Sequence, residues 1–468
     1  MKSTERTKSM LPQAFSERMK KLLGDEYDDF MNALDTEEAV RGMRVNSLKC
    51  DVEHFEKGFL PKHSEIPYAK NCYILESAEA VGMLPEHHSG MIYMQDPGAM
   101  ASLSAIDIPN AAKVIDLCAA PGGKSGQAAA MIGEEGFLFA NEYVPKRAKI
   151  TVSNFERLGI RSAMVSSLDT SELTKMFSEF FDFVIADVPC SGEGMFRKNE
   201  ESITEWSEEN VLNCAKRQRQ ILENAVPLLK PGGYIIYSTC TYSLEENEMV
   251  VDDFIRRNPC FKIAKVKDSL RNATCDGIRF DGATAENLEE TRRFYPHISR
   301  GEGQFVALLK KSDKETVKKQ TILYTDQSKP LGKQDSAIID AFFKKYMLKK
   351  PDAQPRLVGE NIVLIPHGLP VPKNSIFSSG VLLGEIRKGT FLPSHQFFSA
   401  YGSDFKLKIE LSDDKERCYA YLRGEELDAC GTDGEGWCVI TYNGTAVGGG
   451  KISSGRIKNH YPKGLRNK

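Results

Sequence analysis

The stretch LCAAPGGKS, Leu117 to Ser125, ends like a phosphate-binding loop and begins unlike one, and its reading decides the fold. A phosphate-binding loop requires Gly, four residues of any type, then Gly-Lys-Ser or Gly-Lys-Thr. Gly123, Lys124 and Ser125 satisfy the end, but Cys118 stands where the first Gly belongs. The preceding KVIDLCA reads as a strand and the following GKSGQAAAMIG as a helix. Backbone N–H groups at the start of that helix therefore face the loop's ligand, and either a nucleotide phosphate or an amino-acid carboxylate would suit them.

Working outward, GFLFANE, SAMVSS, FDFVIADVP and GGYIIYSTC read as further strands. KRAKITVSNFERLGI and CAKRQRQILENAVPLLK between them carry helical periodicity. Strand-helix alternation predicts an α/β fold, a Rossmann-like, mostly parallel sheet with helices on both faces and ligands beyond the carboxyl ends of the strands. Glu142 ends the second strand 19 residues after Gly123, the spacing at which an acid accepts from ribose hydroxyls. Asp169 follows the third strand and is placed to accept from an adenine amino group. This series suits a nucleoside with a small polar tail, such as S-adenosylmethionine. It suits an ATPase less well: Asp187 resembles a Mg²⁺-binding strand end, but Val188 and Pro189 supply no second acid. A dinucleotide dehydrogenase is disfavoured because G-x-G-x-x-G is absent from the loop.

The 468 residues suggest about three domains, and 41% hydrophobic with 27% charged residues describe an ordinary globular composition. The N-terminal MKSTERTKSM lacks the apolar centre of a signal peptide and no run reaches membrane-span length, so a cytoplasmic protein is expected. The 8 histidines and 11 cysteines lack metal-ligand spacing, and most thiols are expected to be reduced. A net charge of −3 argues against wholesale electrostatic capture of nucleic acid, leaving local patches for any RNA. We expect an accessory domain over residues 1–92, the α/β domain over 93–312, a charged linker in KKSDKETVKKQ, a connecting domain over 320–384 and a β-rich module over 385–468. Residues 451–468 hold six Lys or Arg and no acid, with Tyr461 among them, a candidate phosphate-contacting patch.

Two cysteines stand at neighbouring strand ends: Cys190 in DVPCSG and Cys240 in YSTCTYS. Two thiols and a carboxyl suit methylation at carbon 5 of a pyrimidine, where a thiolate must first add to carbon 6 and an acid near N3 steadies the intermediate. Asp187 would be that acid, useful if burial raises its pKa. Residue types alone do not rank the two thiols. Carbon 6 of a stacked base is out of reach, so the base must be flipped out or unpaired. Phe196, Arg197 and Lys198 in GEGMFRK are candidates for stacking and phosphate contact. An exocyclic-amine methyltransferase commonly carries Pro-Pro and an aromatic after its fourth-strand Asn or Asp, whereas DVPC stands here.

The motifs DLCAAPGGKS, NEYVPKR, ADVPCSGEGMFRK, YSTCTYSLEENE and RFYPHISRGEGQFVA resemble those of the Nop/Sun family of RNA 5-methylcytosine methyltransferases. RVNSLK, YMQDPGAM and KNHYPKGLR are similar to a bacterial branch of it acting on small-subunit ribosomal RNA. The resemblance implies a class I methyltransferase domain between a family-typical N-terminal domain and a C-terminal PUA-like domain. It implies that Cys118, Ala119, Ala120, Pro121, Gly122, Gly123 and Lys124 cradle the methionine part of S-adenosylmethionine. Glu142 would hold the ribose, with Asp169 and Asp187 completing the pocket and Arg147 a weaker candidate. It ranks Cys240 as nucleophile and Cys190 as the thiol of release. The expected partner is ribosomal RNA or the small subunit, bound by a monomer; transfer RNA, or a non-catalytic role in assembly, are the alternatives.

Overall fold

The computed structural model describes residues 11–36, 39–59, 61–76, 80–313, 321–373, 375–432 and 434–467. The MKSTERTKSM segment and most of the expected linker, residues 314–320, lie outside them. Six strands build the central sheet: β1 (Lys113–Asp116), β2 (Phe137–Asn141), β3 (Ala163–Ser166), β4 (Phe181–Asp187), β5 (Leu229–Thr239) and β6 (Gln304–Lys311). Their order is β6-β5-β4-β1-β2-β3. All neighbours are parallel except β6, which runs antiparallel to β5. Alternation sorts the side chains to two faces. Val114, Phe183, Ile185 and Ile236 join one core, and Ile115, Val184, Ala186, Ile235 and Tyr237 the other.

The sheet grows beyond these six at both edges. Arg292–Phe294 and Phe261–Ala264 pair with β6, and Ile376–Ser378 pairs antiparallel with β3. That last strand comes from the connecting region, so an edge that would otherwise stand open is covered. The order reverses direction at β1, whose neighbours are β2 and β4, and this opens a crevice beyond the carboxyl ends of β1 and β4. The glycine loop follows β1 and the Pro-Cys loop follows β4, so both thiols and the loop gather at one rim.

The residues before β1 do not form one body. Helices Gln13–Leu23 and Tyr27–Thr36 send Phe15, Met19, Phe30 and Leu34 into a cluster with Phe196, Trp206, Tyr242 and Tyr295 of the α/β half. A separate four-stranded sheet, Arg41–Val45 with His63–Glu65, Cys72–Leu75 and Ile92–Met94, packs elsewhere. Its Met43, Val45, Tyr73 and Ile92 share one core with Ile409, Tyr421, Val447 and Tyr461 of the C-terminal module. That module is a five-stranded sheet whose long hairpin is Gly436–Tyr442 and Thr445–Ser453. The connecting region has its own five-stranded sheet, and the strand Val381–Arg387 belongs to it, so residue 385 falls inside that strand.

The basic tail folds onto the C-terminal module and leaves Lys451, Arg456, Lys458 and Lys463 exposed on its surface. Tyr461 is buried and its hydroxyl hydrogen-bonds His88 Nδ1 at 2.8 Å, while Arg456 pairs with Glu426 at 3.3 Å. Tyr461 is therefore core, not a phosphate-contacting residue. No helix of the described residues is long and apolar enough to cross a membrane.

Candidate active site

The loop after β1 turns sharply into helix Gly123–Ile132 through Gly122, whose φ of 107° lies in the left-handed region that L side chains rarely adopt. A Cβ on Gly123 would sit 3.0 Å from the Tyr93 ring, so that ring would have to shift to admit a side chain there. Ser125 Oγ donates to Asp116 at 2.6 Å, and Cys118 N–H donates to the same carboxylate at 3.2 Å, tying the loop back to the end of β1. Asp116 is fully buried, and burial raises its pKa to about 7.

A cleft of about 390 Å³ opens beyond this loop, with Ala120, Lys124, Asp187, Cys190 and Cys240 in its walls. The ammonium of Lys124 donates to Asp187 at 2.8 Å, and Ser238 Oγ donates to the other oxygen at 2.7 Å. Asp187 thus sits in an ion pair with Lys124, beside the buried Asp116. Glu142 lies behind the loop: it is buried and accepts from Val144 N–H at 3.0 Å and from Ala120 N–H at 3.4 Å. Arg147 reaches Glu142 at 3.4 Å and donates to the Ala120 carbonyl at 3.1 Å. Asp169 is exposed and caps helix Thr170–Leu173, accepting from Ser171 N–H at 2.9 Å and Oγ at 2.6 Å; it does not line the cleft.

The two thiols meet. Cys190 Sγ and Cys240 Sγ are 3.1 Å apart, and the Cys240 N–H donates to Cys190 Sγ at 3.3 Å. The hydrogen bond to Cys240, together with burial, raises the Cys190 thiol well above its ordinary value. Cys190 therefore keeps its proton near neutral pH. Cys118, also raised by burial, lies in the loop.

Two expected RNA contacts are absorbed by the fold. Phe196 packs edge-on against Phe15 at 5.0 Å, and Arg197 is buried in an ion pair with Glu302 at 2.8 Å. Lys198 stays at the surface, paired with Asp96 at 2.8 Å. The residues that sequence reasoning passed over are buried acids between the thiol loops. Glu193 accepts from Thr241, Tyr242, Ser243 and Trp206, and Glu246 accepts from Ser191 and Gln218. Behind them the fully buried Glu248 and Arg293 form a second pair, with Nε to Oε1 at 2.6 Å. Their only signal in sequence was the density of acids in CSGEG and SLEENE, which reads as solvated loop.

The chain fits a nucleoside cofactor carrying an amino-acid tail. The glycine turn leaves room at the helix N-terminus, and Ala119, Ala120, Pro121 and Gly123 line the cleft beside Lys124 and Asp187, apolar walls with a few polar groups of the kind such a ligand occupies.

Comparison with known proteins agrees. Residues 104–310 match the family model described as 16S rRNA methyltransferase RsmB/F. Residues 11–97 match the N-terminal domain of 16S rRNA methyltransferase RsmF, and 406–467 the methyltransferase RsmF PUA domain. The ribosomal RNA small subunit methyltransferase F of Vibrio campbellii is 33% identical over 97% of each chain, and that of Psychromonas ingrahamii 28% identical over 98% of each. A methyltransferase homologue from Pyrococcus horikoshii superposes with a TM-score of 0.56 at 27% identity, covering 65% of this chain and 96% of its own. NSun6 from Pyrococcus horikoshii, 21% identical with a TM-score of 0.55 over 65% of this chain and 99% of its own, shares the fold. The chain therefore belongs to the ribosomal RNA small subunit methyltransferase F family of S-adenosylmethionine-dependent methyltransferases.

Proposed function

We propose that this protein methylates carbon 5 of a cytosine in small-subunit ribosomal RNA through a covalent adduct to Cys240. The observation that carries the reading is the contact of two thiols, 3.1 Å apart, at the rim of a cleft that also holds the Lys124–Asp187 pair. A ribosomal RNA methyltransferase acting on an exocyclic amine or a ribose needs no nucleophilic sulfur. One acting on carbon 5 needs both a nucleophile and a way to release it.

Bound S-adenosylmethionine supplies a methyl group on a sulfonium. Cys118 to Lys124 would hold its amino-acid part against the helix N-terminus, Glu142 its ribose, and Asp187 would complete the pocket, whereas the exposed Asp169 stands outside it. The Cys240 sulfur adds to carbon 6, and the electron pair of the 5,6 double bond makes carbon 5 nucleophilic. Asp187 would face the N3 edge and steady the charge that develops there with the proton it shares with the Lys124 ammonium, 2.8 Å away. After transfer, the carbon-5 proton passes to water in the cleft, the 5,6 double bond reforms and the bond from carbon 6 to sulfur breaks. Cys190, still protonated, donates to the departing Cys240 thiolate.

The protein is expected to act as a cytoplasmic monomer on RNA whose target base has left its stack. The test is nucleoside mass spectrometry of small-subunit RNA after incubation with enzyme and S-adenosylmethionine. 5-Methylcytidine is the expected product; a methyl group on an exocyclic amine, a ribose or transfer RNA alone would overturn the reading.

A further inference from the structure

Two buried carboxylates cross between the thiol loops in opposite directions. Glu193 lies three residues after Cys190, yet its partners follow Cys240: Tyr242 N–H at 2.8 Å, Thr241 Oγ1 at 2.7 Å and Ser243 Oγ at 2.6 Å. Glu246 lies six residues after Cys240, yet its partner follows Cys190: Ser191 N–H at 3.0 Å, with Ser191 Oγ on the other oxygen. Ser191 Oγ and Thr241 Oγ1 meet at 2.9 Å, and Gly194 N–H donates to the Cys240 carbonyl at 2.9 Å. Both acids are 0% exposed, so neither touches solvent or substrate. Two buried carboxylates so near each other are electrostatically unfavourable, and no hydrophobic core requires them.

Resting on the two-thiol reading above, we propose that Glu193 and Glu246 form a reciprocal clamp that sets the Cys190–Cys240 contact and so governs release of the RNA adduct. They are positioning residues. Addition of Cys240 to carbon 6 needs only that thiol. Release needs Cys190 held against the departing sulfur: the bond from carbon 6 to sulfur breaks, its electrons stay on sulfur, and the Cys190 S–H donates to them. A loosened clamp therefore slows release more than addition.

The hydrogen-bond inventory separates the two acids. Each oxygen of Glu193 takes an N–H donor, Trp206 Nε1 on one and Tyr242 N on the other. An amide there must set its own N–H₂ against an N–H, so Glu193→Gln breaks the clamp. Glu246 takes its N–H donors, Ser191 N and Gln218 Nε2, on the same oxygen and only a hydroxyl on the other. Glu246→Gln therefore keeps every bond by donating to Ser191 Oγ, whereas Glu246→Ala does not.

The experiment follows protein–RNA adduct on denaturing gels, together with first-turnover methyl transfer, for Glu193→Gln, Glu246→Ala, Glu246→Gln and Cys190→Ala. Glu193→Gln and Glu246→Ala are expected to accumulate methylated adduct, its lifetime extended on the order of 100-fold, the cost of misplacing a reacting group by about 1 Å. First-turnover transfer should change far less, and Glu246→Gln should turn over like the wild type. Ser191→Ala, which removes one hydroxyl and no carboxylate, covers the case in which Glu246→Ala does not fold and should give a weaker form of the same phenotype. Equal slowing of transfer and release, or normal release in Glu193→Gln and Ser191→Ala while Cys190→Ala traps RNA, would overturn the clamp. If Cys190→Ala itself traps nothing, the two-thiol reading fails first, and the clamp with it.

Discussion

At the scale of single residues, the rim of the cleft is a set of polar groups that burial has moved from their ordinary behaviour. Asp116 and Glu246 are both fully buried, and desolvation raises each to about 7. Each therefore binds a proton more tightly in the folded chain than in the unfolded one. Their contribution to stability is full below the unfolded carboxyl pKa and is lost as pH rises through about 7. Glu246→Gln, which keeps the bonds of the neutral acid, should flatten the fall in unfolding free energy between about pH 4.5 and 7, removing a loss on the order of 3 kcal/mol. Denaturant titrations across that range check this; an unchanged slope would mean that Glu246 ionises normally in the folded state. The same burial explains what could not be read residue by residue. Phe196, Arg197 and Tyr461 have the side chains of RNA contacts, but residue type does not reveal that a distant segment covers them. Arg197 donates to the carbonyl of Ala33, 164 residues away, at 3.3 Å.

At the scale of elements, the central sheet was legible because each strand is a short apolar run ending in a polar residue, with a helix of clear periodicity behind it. The glycine loop was legible for the same reason: the required residue types are contiguous. Glu142 and the thiols were found by counting from strand ends. The acid clamp was not, because Glu193 and Glu246 become meaningful only when the loops after β4 and β5 lie side by side. The helical pair Gln13–Leu23 and Tyr27–Thr36 was legible as helix but not as a buttress of the two thiol loops. Phe30 meets Tyr242, two residues past Cys240, edge-on with ring centroids 5.0 Å apart, and Arg18 donates to Glu245 at 2.6 Å. Phe30→Ala should lower stability by about 3–5 kcal/mol through transfer and cavity costs. A loss of unfolding free energy in urea titrations of less than a third of this would show that the pair packs loosely on the loops.

At the scale of the whole molecule, the C-terminal module is not a detachable RNA arm. It shares a core with the N-terminal sheet, and Lys49 donates to the Ser399 carbonyl at 2.6 Å and the Ala446 carbonyl at 3.3 Å across that joint. Removing residues 385–468 should therefore do more than weaken RNA binding. Hydrogen exchange in the strand Arg41–Val45 is expected to accelerate at least tenfold, which corresponds to about 1.4 kcal/mol of local protection; unchanged exchange would mean that the N-terminal sheet folds without its partner. The proposed chemistry depends on two sulfur atoms. Wild type, Cys240→Ala and Cys190→Ala should be incubated with S-adenosylmethionine and small-subunit RNA and resolved on denaturing gels. Adduct accumulating in Cys190→Ala, with neither adduct nor 5-methylcytosine from Cys240→Ala, is the expected result. Methylation by both variants with no trapped RNA would contradict it and leave the thiols structural.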